Sequence, residues 1–230
     1  MEHTYKERRA LGFFLAPLCF VVLNALLLFL VASPILSPYI GLAKYLCSDQ
    51  VQPQPTDLYA GLAEGIAHSG EQPEEAAVIP LSGIAYPQKG DRYGQITVEG
   101  TSVDAPLYYG DSTKQLNRGA ATYADSSGAG IPGQQKTILL AGHNNTFFNG
   151  LQDVQVGALV HISTHYGEYV YRVTEMKIAD YQDTTTYDFT RTDENLILYT
   201  CYPFDALGFT PQRYFVYGEY VSGPVLDPAR

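Results

Sequence analysis

The sequence has no tryptophan, two methionines and three cysteines in 230 residues. Positive charge is also scarce. Fourteen Lys and Arg stand against 24 Asp and Glu, a formal net charge of −10. An acidic chain repels phosphate backbones, and no stretch gathers Lys and Arg into a basic stripe, so nucleic acid is excluded as a partner. Internal repeats are absent. The cysteines do not form a disulfide framework, which in a short chain brings an even set. Cys19 lies in an apolar run and Cys47 just beyond it, leaving Cys201 alone in the body of the chain. A lone thiol outside the membrane is open to oxidation, so its presence asks for a use.

The chain does have apolar and aromatic residues. The hydrophobic fraction is 46%, with 19 Tyr and 10 Phe. That content suits a β-rich body, because aromatic side chains pack well on a pleated surface. From Ala10 to Ala43 no side chain is charged, and 11–32 is almost wholly apolar. About 20 apolar residues in a helix cross a hydrocarbon core of roughly 30 Å. Lys6, Arg8 and Arg9 precede the run, and Lys44 follows it. The positive-inside bias then leaves residues 1–10 in the cytoplasm and the rest outside, in the cell membrane by a single pass. A cleaved signal peptide is the other reading. The apolar stretch is long for one, and Pro34 directly follows the small residues Ala32 and Ser33.

Residues 33–90 read as an extracellular tether. Between Ser48 and Gln88 lie Pro53, Pro55, Pro73, Pro80 and Pro87, with acids and no Lys or Arg. A short helix over Thr56–His68, capped by Thr56, is expected inside it. From about residue 91 to 222 the pattern becomes short strands broken by Gly, Asn and Asp. They fall at Tyr93–Val98, Val103–Tyr109, Lys136–Ala141, Ala158–Thr164, Glu168–Asp180, Leu196–Thr200 and Arg213–Val221. A short helix near Asp111–Arg118, capped by Asp111, interrupts them. Residues 223–230 form a C-terminal tail. Many short strands with few helices point to an all-β domain, a closed barrel or a sandwich.

Three polar residues stand at strand ends: His143 after TILLAG, Cys201 after LILYT, and Arg213 opening RYFVYGEY. Strand termini let a rigid scaffold present side chains at one mouth. A thiolate is a strong nucleophile. Histidine can protonate a leaving amine, and arginine keeps its charge and can hold an oxyanion. Together they suffice for acyl transfer from a peptide bond. Taken singly, each has a plainer account: a small buried hydrophobe, a turn residue, an edge-strand charge.

The segment Ile197–Cys201 (ILYTC) resembles the T-L-x-T-C motif of the sortase family, with Ile197 in place of the first Thr. Ala141-Gly142-His143 matches the approach to the family's histidine, and Arg213 matches its arginine, in the order His, Cys, Arg. The likeness runs from Tyr93 to Val221 and looks most like class D, with class B second. It implies a closed eight-stranded β-barrel with short helices behind one N-terminal transmembrane helix. It implies a membrane-anchored cysteine transpeptidase and thiol protease-type hydrolase with His143, Cys201 and Arg213 as catalytic residues. Thr200 would shape the floor of the site, and Phe204, Leu207 and Phe209 would line the substrate groove. The implied substrates are secreted proteins bearing a C-terminal LPXTG-like sorting signal, cut after Thr through a thioester. A cell-wall precursor supplies the acceptor amine. No cofactor and no metal is implied.

Rival readings fit less well. Papain-like peptidases place Cys before His, and L,D-transpeptidases use S-x-G-C, which Tyr199-Thr200-Cys201 is not. His161 and His165 would share a helix face, but their flanks read as strand, so a structural role is expected. Asp111, Asp125 and Asp153 are too scattered for a calcium site. A non-enzymatic or pilus-associated barrel of the same fold is the alternative, although such a copy would be expected to lose one of the three catalytic types.

Overall fold

The computed structural model describes residues 2–47, 76–125, 128–206 and 208–229. They divide into two compact units, residues 1–37 and 38–230. Helix α1 (Glu2–Cys47) extends past the expected 11–32 span in both directions. Its stretch Pro17–Cys47 is long and apolar enough to cross a membrane. The last turns, from Pro38 onward, belong to the second unit and pack on it. Tyr45 meets Phe147 edge to face at 6.2 Å and donates its hydroxyl to Asp104 Oδ1 at 3.1 Å. Gly41 permits this approach, since a Cβ there would fall 1.6 Å from the carbonyl oxygen of Asn117.

The second unit is built on a closed barrel. Its strands are β2 (Arg92–Val98), β3 (Asp104–Tyr109), β4 (Ala120–Thr122), β5 (Thr137–Ala141), β6 (Leu159–Thr164), β7 (Gly167–Asp180), β8 (Asn195–Tyr202) and β9 (Gln212–Ser222). The order around the barrel is β2-β3-β4-β5-β8-β9-β7-β6. Closure leaves no unpaired strand edge. β5 and β8 run parallel, with Ala141 opposite Tyr199, and β9 returns antiparallel to β8. The end of β5, the end of β8 and the start of β9 therefore share one end of the barrel. β3 runs parallel to β4, which is antiparallel to β5, so Asp104 also lies at that end.

Side-chain alternation separates two apolar clusters. Leu196 and Leu198 of β8 point into the main core with Ile138, Leu140 and Val216. Ile197 joins Leu139, Ala179 and Phe215 in a smaller cluster on the other face of the wall, with Tyr199 and Tyr217 packed against it. LILYT is thus buried on both faces, as its continuous apolar run requires. The segment between β7 and β8 supplies Tyr187 and Phe189 as the cover of the smaller cluster.

Several elements differ from the sequence-based expectation. β4 was not expected: Ala120, Ala121 and Thr122 carry little β signal and are held by pairing on both sides. Helix α2 (Thr113–Leu116) has Ser112 rather than Asp111 at its cap position. The tether and the tail are joined: β1 (Val78–Pro80) pairs in parallel with β10 (Val225–Asp227). Composition does not reveal a pairing between segments so far apart in the chain. The helix expected at Thr56–His68 lies outside the described residues, as does Leu207.

Candidate active site

β8 carries Cys201 at its penultimate position, half-buried and free of any disulfide. Alternation places it on the face of Ile197 and Tyr199. Arg213 is its direct cross-strand partner on β9, on the face of Phe215. His143 follows β5 by two residues, on the strand neighbouring β8 on its other side. The three residues thus come from three adjacent strands, at one end and toward the face of the smaller cluster.

Hydrogen bonds fix each one. The Gly142 amide donates to the Tyr199 carbonyl at 3.3 Å, which continues the β5–β8 pairing up to His143. Thr200 is 1% exposed, and its hydroxyl donates to the Gly142 carbonyl at 2.8 Å. Gly142 is needed there because a Cβ would meet the Phe148 ring at 2.5 Å. His143 Nε2 donates to Asn117 Oδ1 at 2.9 Å, which leaves Nδ1 without a hydrogen bond among the described residues. Burial lowers the His143 pKa below the usual histidine value, favouring the neutral ring at rest. Burial likewise pushes the Tyr199 phenol up to about 12, so it stays protonated beneath the cysteine.

The loops are tied to one another. Asn144 Nδ2 donates to the Pro203 carbonyl at 2.7 Å, just past the cis Tyr202–Pro203 peptide. Asn149 Nδ2 donates both to the Asn144 carbonyl and to Asp205 Oδ1, each at 2.8 Å. The segment after His143 is thereby laced to the segment after Cys201. Arg213 donates to the carbonyls of Thr210 and Gln212, each at 2.8 Å, with its guanidinium carbon 5.7 Å from the centre of the Tyr181 ring. Phe204 packs between Tyr202 and Tyr214, while Phe209 is 74% exposed and meets Tyr181 at its edge.

Sequence reasoning missed Asn117, Asn144, Asn149 and Asp205. Nothing in the sequence links them to the site. His161 and His165 lie apart from it. The first is 3.5 Å from Glu99, and the second donates to the Ala85 carbonyl.

Comparison with known proteins identifies the family. The family model of the Sortase domain matches residues 96–221. The chain is 30% identical over 160 residues to Sortase D of Bacillus subtilis (strain 168), covering 70% of this chain and 76% of that protein. Among solved structures, sortase A of Listeria monocytogenes is 26% identical, with a TM-score of 0.51, over 60% of this chain and 92% of that one. A Clostridium perfringens sortase D5 shares the fold at 19% identity and a TM-score of 0.51, over 59% of this chain and 82% of that one. Barrel, motif and relatives define a transpeptidase of the sortase class. The chain belongs to the sortase family, and Sortase D is among the proteins it is similar to.

Proposed function

We propose that this transpeptidase acts on secreted proteins with an LPXTG-like sorting signal near the C-terminus and joins them to an amine of a cell-wall precursor. One observation carries the reading: Cys201 stands directly across from Arg213 while His143 lies two residues past the end of the neighbouring parallel strand. Cys201 passes its thiol proton to the neutral His143 and attacks the carbonyl of the signal's Thr as a thiolate. Arg213 stabilises the oxyanion of the tetrahedral intermediate, whose negative charge is worth most to a fixed cation in a partly dry site. The C–N bond breaks, and the proton on His143 goes to the departing amine. The acceptor enters as a neutral amine, having lost one proton to water. Its nitrogen attacks the thioester, the C–S bond breaks, and a second N–H proton passes to His143, which restores the starting pair.

Thr200 supports the floor, and Phe204, Leu207 and Phe209 supply apolar contacts to the signal peptide. α1 anchors the chain in the cell membrane, with the N-terminus cytoplasmic and the barrel outside. The chemistry needs no cofactor. The test is incubation of the purified full-length protein, in detergent, with a library of sorting-signal peptides and a primary amine. Mass spectrometry should find an acyl adduct on Cys201 and an amide product. Cys201→Ala should abolish both. Full transpeptidation by that variant would sink the mechanism.

A further inference from the structure

The last turns of α1 meet the barrel on both sides of His143. From Pro38 onward the helix belongs to the same unit as the barrel. Pro38, Gly41, Leu42 and Tyr45 follow the i, i+3, i+4, i+7 spacing of one helix face, and Pro38 and Tyr45 on it are buried. Ile40, on the opposite side, is 52% exposed. Gly41 lies against the peptide that joins Asn117 to Arg118. A Cβ there would fall 1.6 Å from the Asn117 carbonyl oxygen and 2.9 Å from its carbon. Asn117 is the residue that ends α2, and its Oδ1 accepts the Nε2 proton of His143. On the other side of His143 the chain turns, with the Phe148 amide donating to the His143 carbonyl at 3.0 Å. Two tyrosines of α1 hold this turn. Asn145 Nδ2 donates to the Tyr39 hydroxyl at 3.1 Å, and Tyr45 meets Phe147 edge to face.

The sheet does not require these contacts, because the barrel closes on its own eight strands. The helix does not favour a glycine either, since alanine is the better residue inside a helix. What Gly41 allows is close contact with the peptide that carries Asn117. Asn117 makes the one hydrogen bond of the His143 ring among the described residues. While Nε2 holds its proton against Asn117, the neutral ring keeps its lone pair on Nδ1. A neutral histidine accepts a thiol proton only through such a bare nitrogen. We propose that Gly41 and Tyr39, on the last turns of the apolar helix, are positioning residues for the acyl transfer: they hold Asn117 and the 143–148 turn so that His143 keeps one ring orientation and one tautomer.

The tautomer is read without turnover; only its effect on rate rests on the role proposed for His143. Full-length protein in detergent micelles, with 15N in its histidine rings, is compared with Gly41→Ala, Tyr39→Phe and Ile40→Ala at a pH where the ring is neutral. The wild-type His143 ring should be protonated at Nε2 alone. Gly41→Ala pushes Asn117 away and should give a mixture of tautomers, with kcat down about tenfold and KM changed less than about twofold. Tyr39→Phe removes only a hydroxyl and should lower kcat about threefold with the same tautomer shift in part, which covers a Gly41→Ala chain that fails to fold. Ile40→Ala should match the wild type in both readouts. In an Asn117→Ala background, Gly41→Ala should lower kcat by less than about twofold further, because the route through that side chain is already cut.

An unmoved tautomer in Gly41→Ala and Tyr39→Phe overturns the proposal, even if both variants unfold more easily, since that is the signature of packing alone. An equal loss in Ile40→Ala, or full additivity with Asn117→Ala, overturns it as well. A chain whose His143 tautomer follows Gly41 yet which never forms an adduct on Cys201 defeats the proposed mechanism and leaves the positioning contact standing.

Discussion

Thr200 donates its hydroxyl proton to the carbonyl oxygen of Gly142, and this one bond joins the residue before Cys201 to the residue before His143. The proposed nucleophile and the proposed acid are thus spaced by a buried hydrogen bond between their strands. Thr200→Val keeps the volume but leaves the Gly142 carbonyl facing a methyl group. It should cost about 1–3 kcal/mol in urea unfolding and lower kcat together with stability. Thr200→Ser should recover most of both, because the donor returns.

Arg213 separates charge from shape. Lysine at this position keeps the charge and loses the planar guanidinium, whose Nη1 donates to both the Thr210 and the Gln212 carbonyls. Arg213→Lys should therefore fold normally and lose about 10²-fold in kcat, a typical penalty for losing one oxyanion donor. Circular dichroism and steady-state cleavage of a sorting-signal peptide check the two halves of that statement. Wild-type kcat in the variant would remove Arg213 from the chemistry.

His143 sets a pH dependence. Burial depresses its pKa, so the imidazolium gains population only as pH falls below the usual histidine range. An NMR titration of the His143 ring should give a midpoint below about 6.5. The linkage has the matching sign. The contribution to stability is present above the unfolded-state value and is lost as pH falls through the folded one. Asn117→Ala removes the acceptor on Nε2, and the ring nitrogens should then report a mixture of tautomers in place of one.

Glu194 is a buried acid at the other end of the barrel. It accepts from the Tyr171 hydroxyl at 2.6 Å and from the amides of Gly133 and Gln135, both at 3.0 Å. Burial raises its pKa, against the pull of those three donors. Its favourable contribution is therefore complete below the unfolded-state value and declines as pH rises through the folded one. Glu194→Ala strands three donors, two of them backbone, and should cost about 3 kcal/mol or more in denaturant unfolding. Glu194→Gln should cost less and flatten the pH dependence.

The part of this fold written in local pattern could be read from the chain. LILYT announces a strand buried on both faces, and Cys201, His143 and Arg213 each sit where an apolar run meets a polar residue. β4 could not be read so, since Ala-Ala-Thr becomes a strand only by lying between β3 and β5. Asn117 lies 26 residues before His143, and nothing local marks it as the partner of that ring. The same holds for Asp205, which has meaning only once Asn149 is beside it. Long-range pairing decides these residues, and a sequence displays only neighbours.

The pairing of β1 with β10 has a practical side. β9 runs away from the mouth, so its continuation into β10 lies at the closed end, where the Val225 amide donates to the Ala77 carbonyl at 2.8 Å. The domain is sewn shut by a seam between its first and last strands, well away from Cys201. A soluble fragment cut at residue 91, where the barrel pattern begins, would open that seam. Ile79, now 8% exposed, would be lost from the core, and the Val225 amide would lose its acceptor, the Ala77 carbonyl. Loss of an isoleucine's burial alone is worth about 1.5–3 kcal/mol. Where the chain is cut thus decides how sound a scaffold the catalytic strands retain, although no catalytic residue is touched.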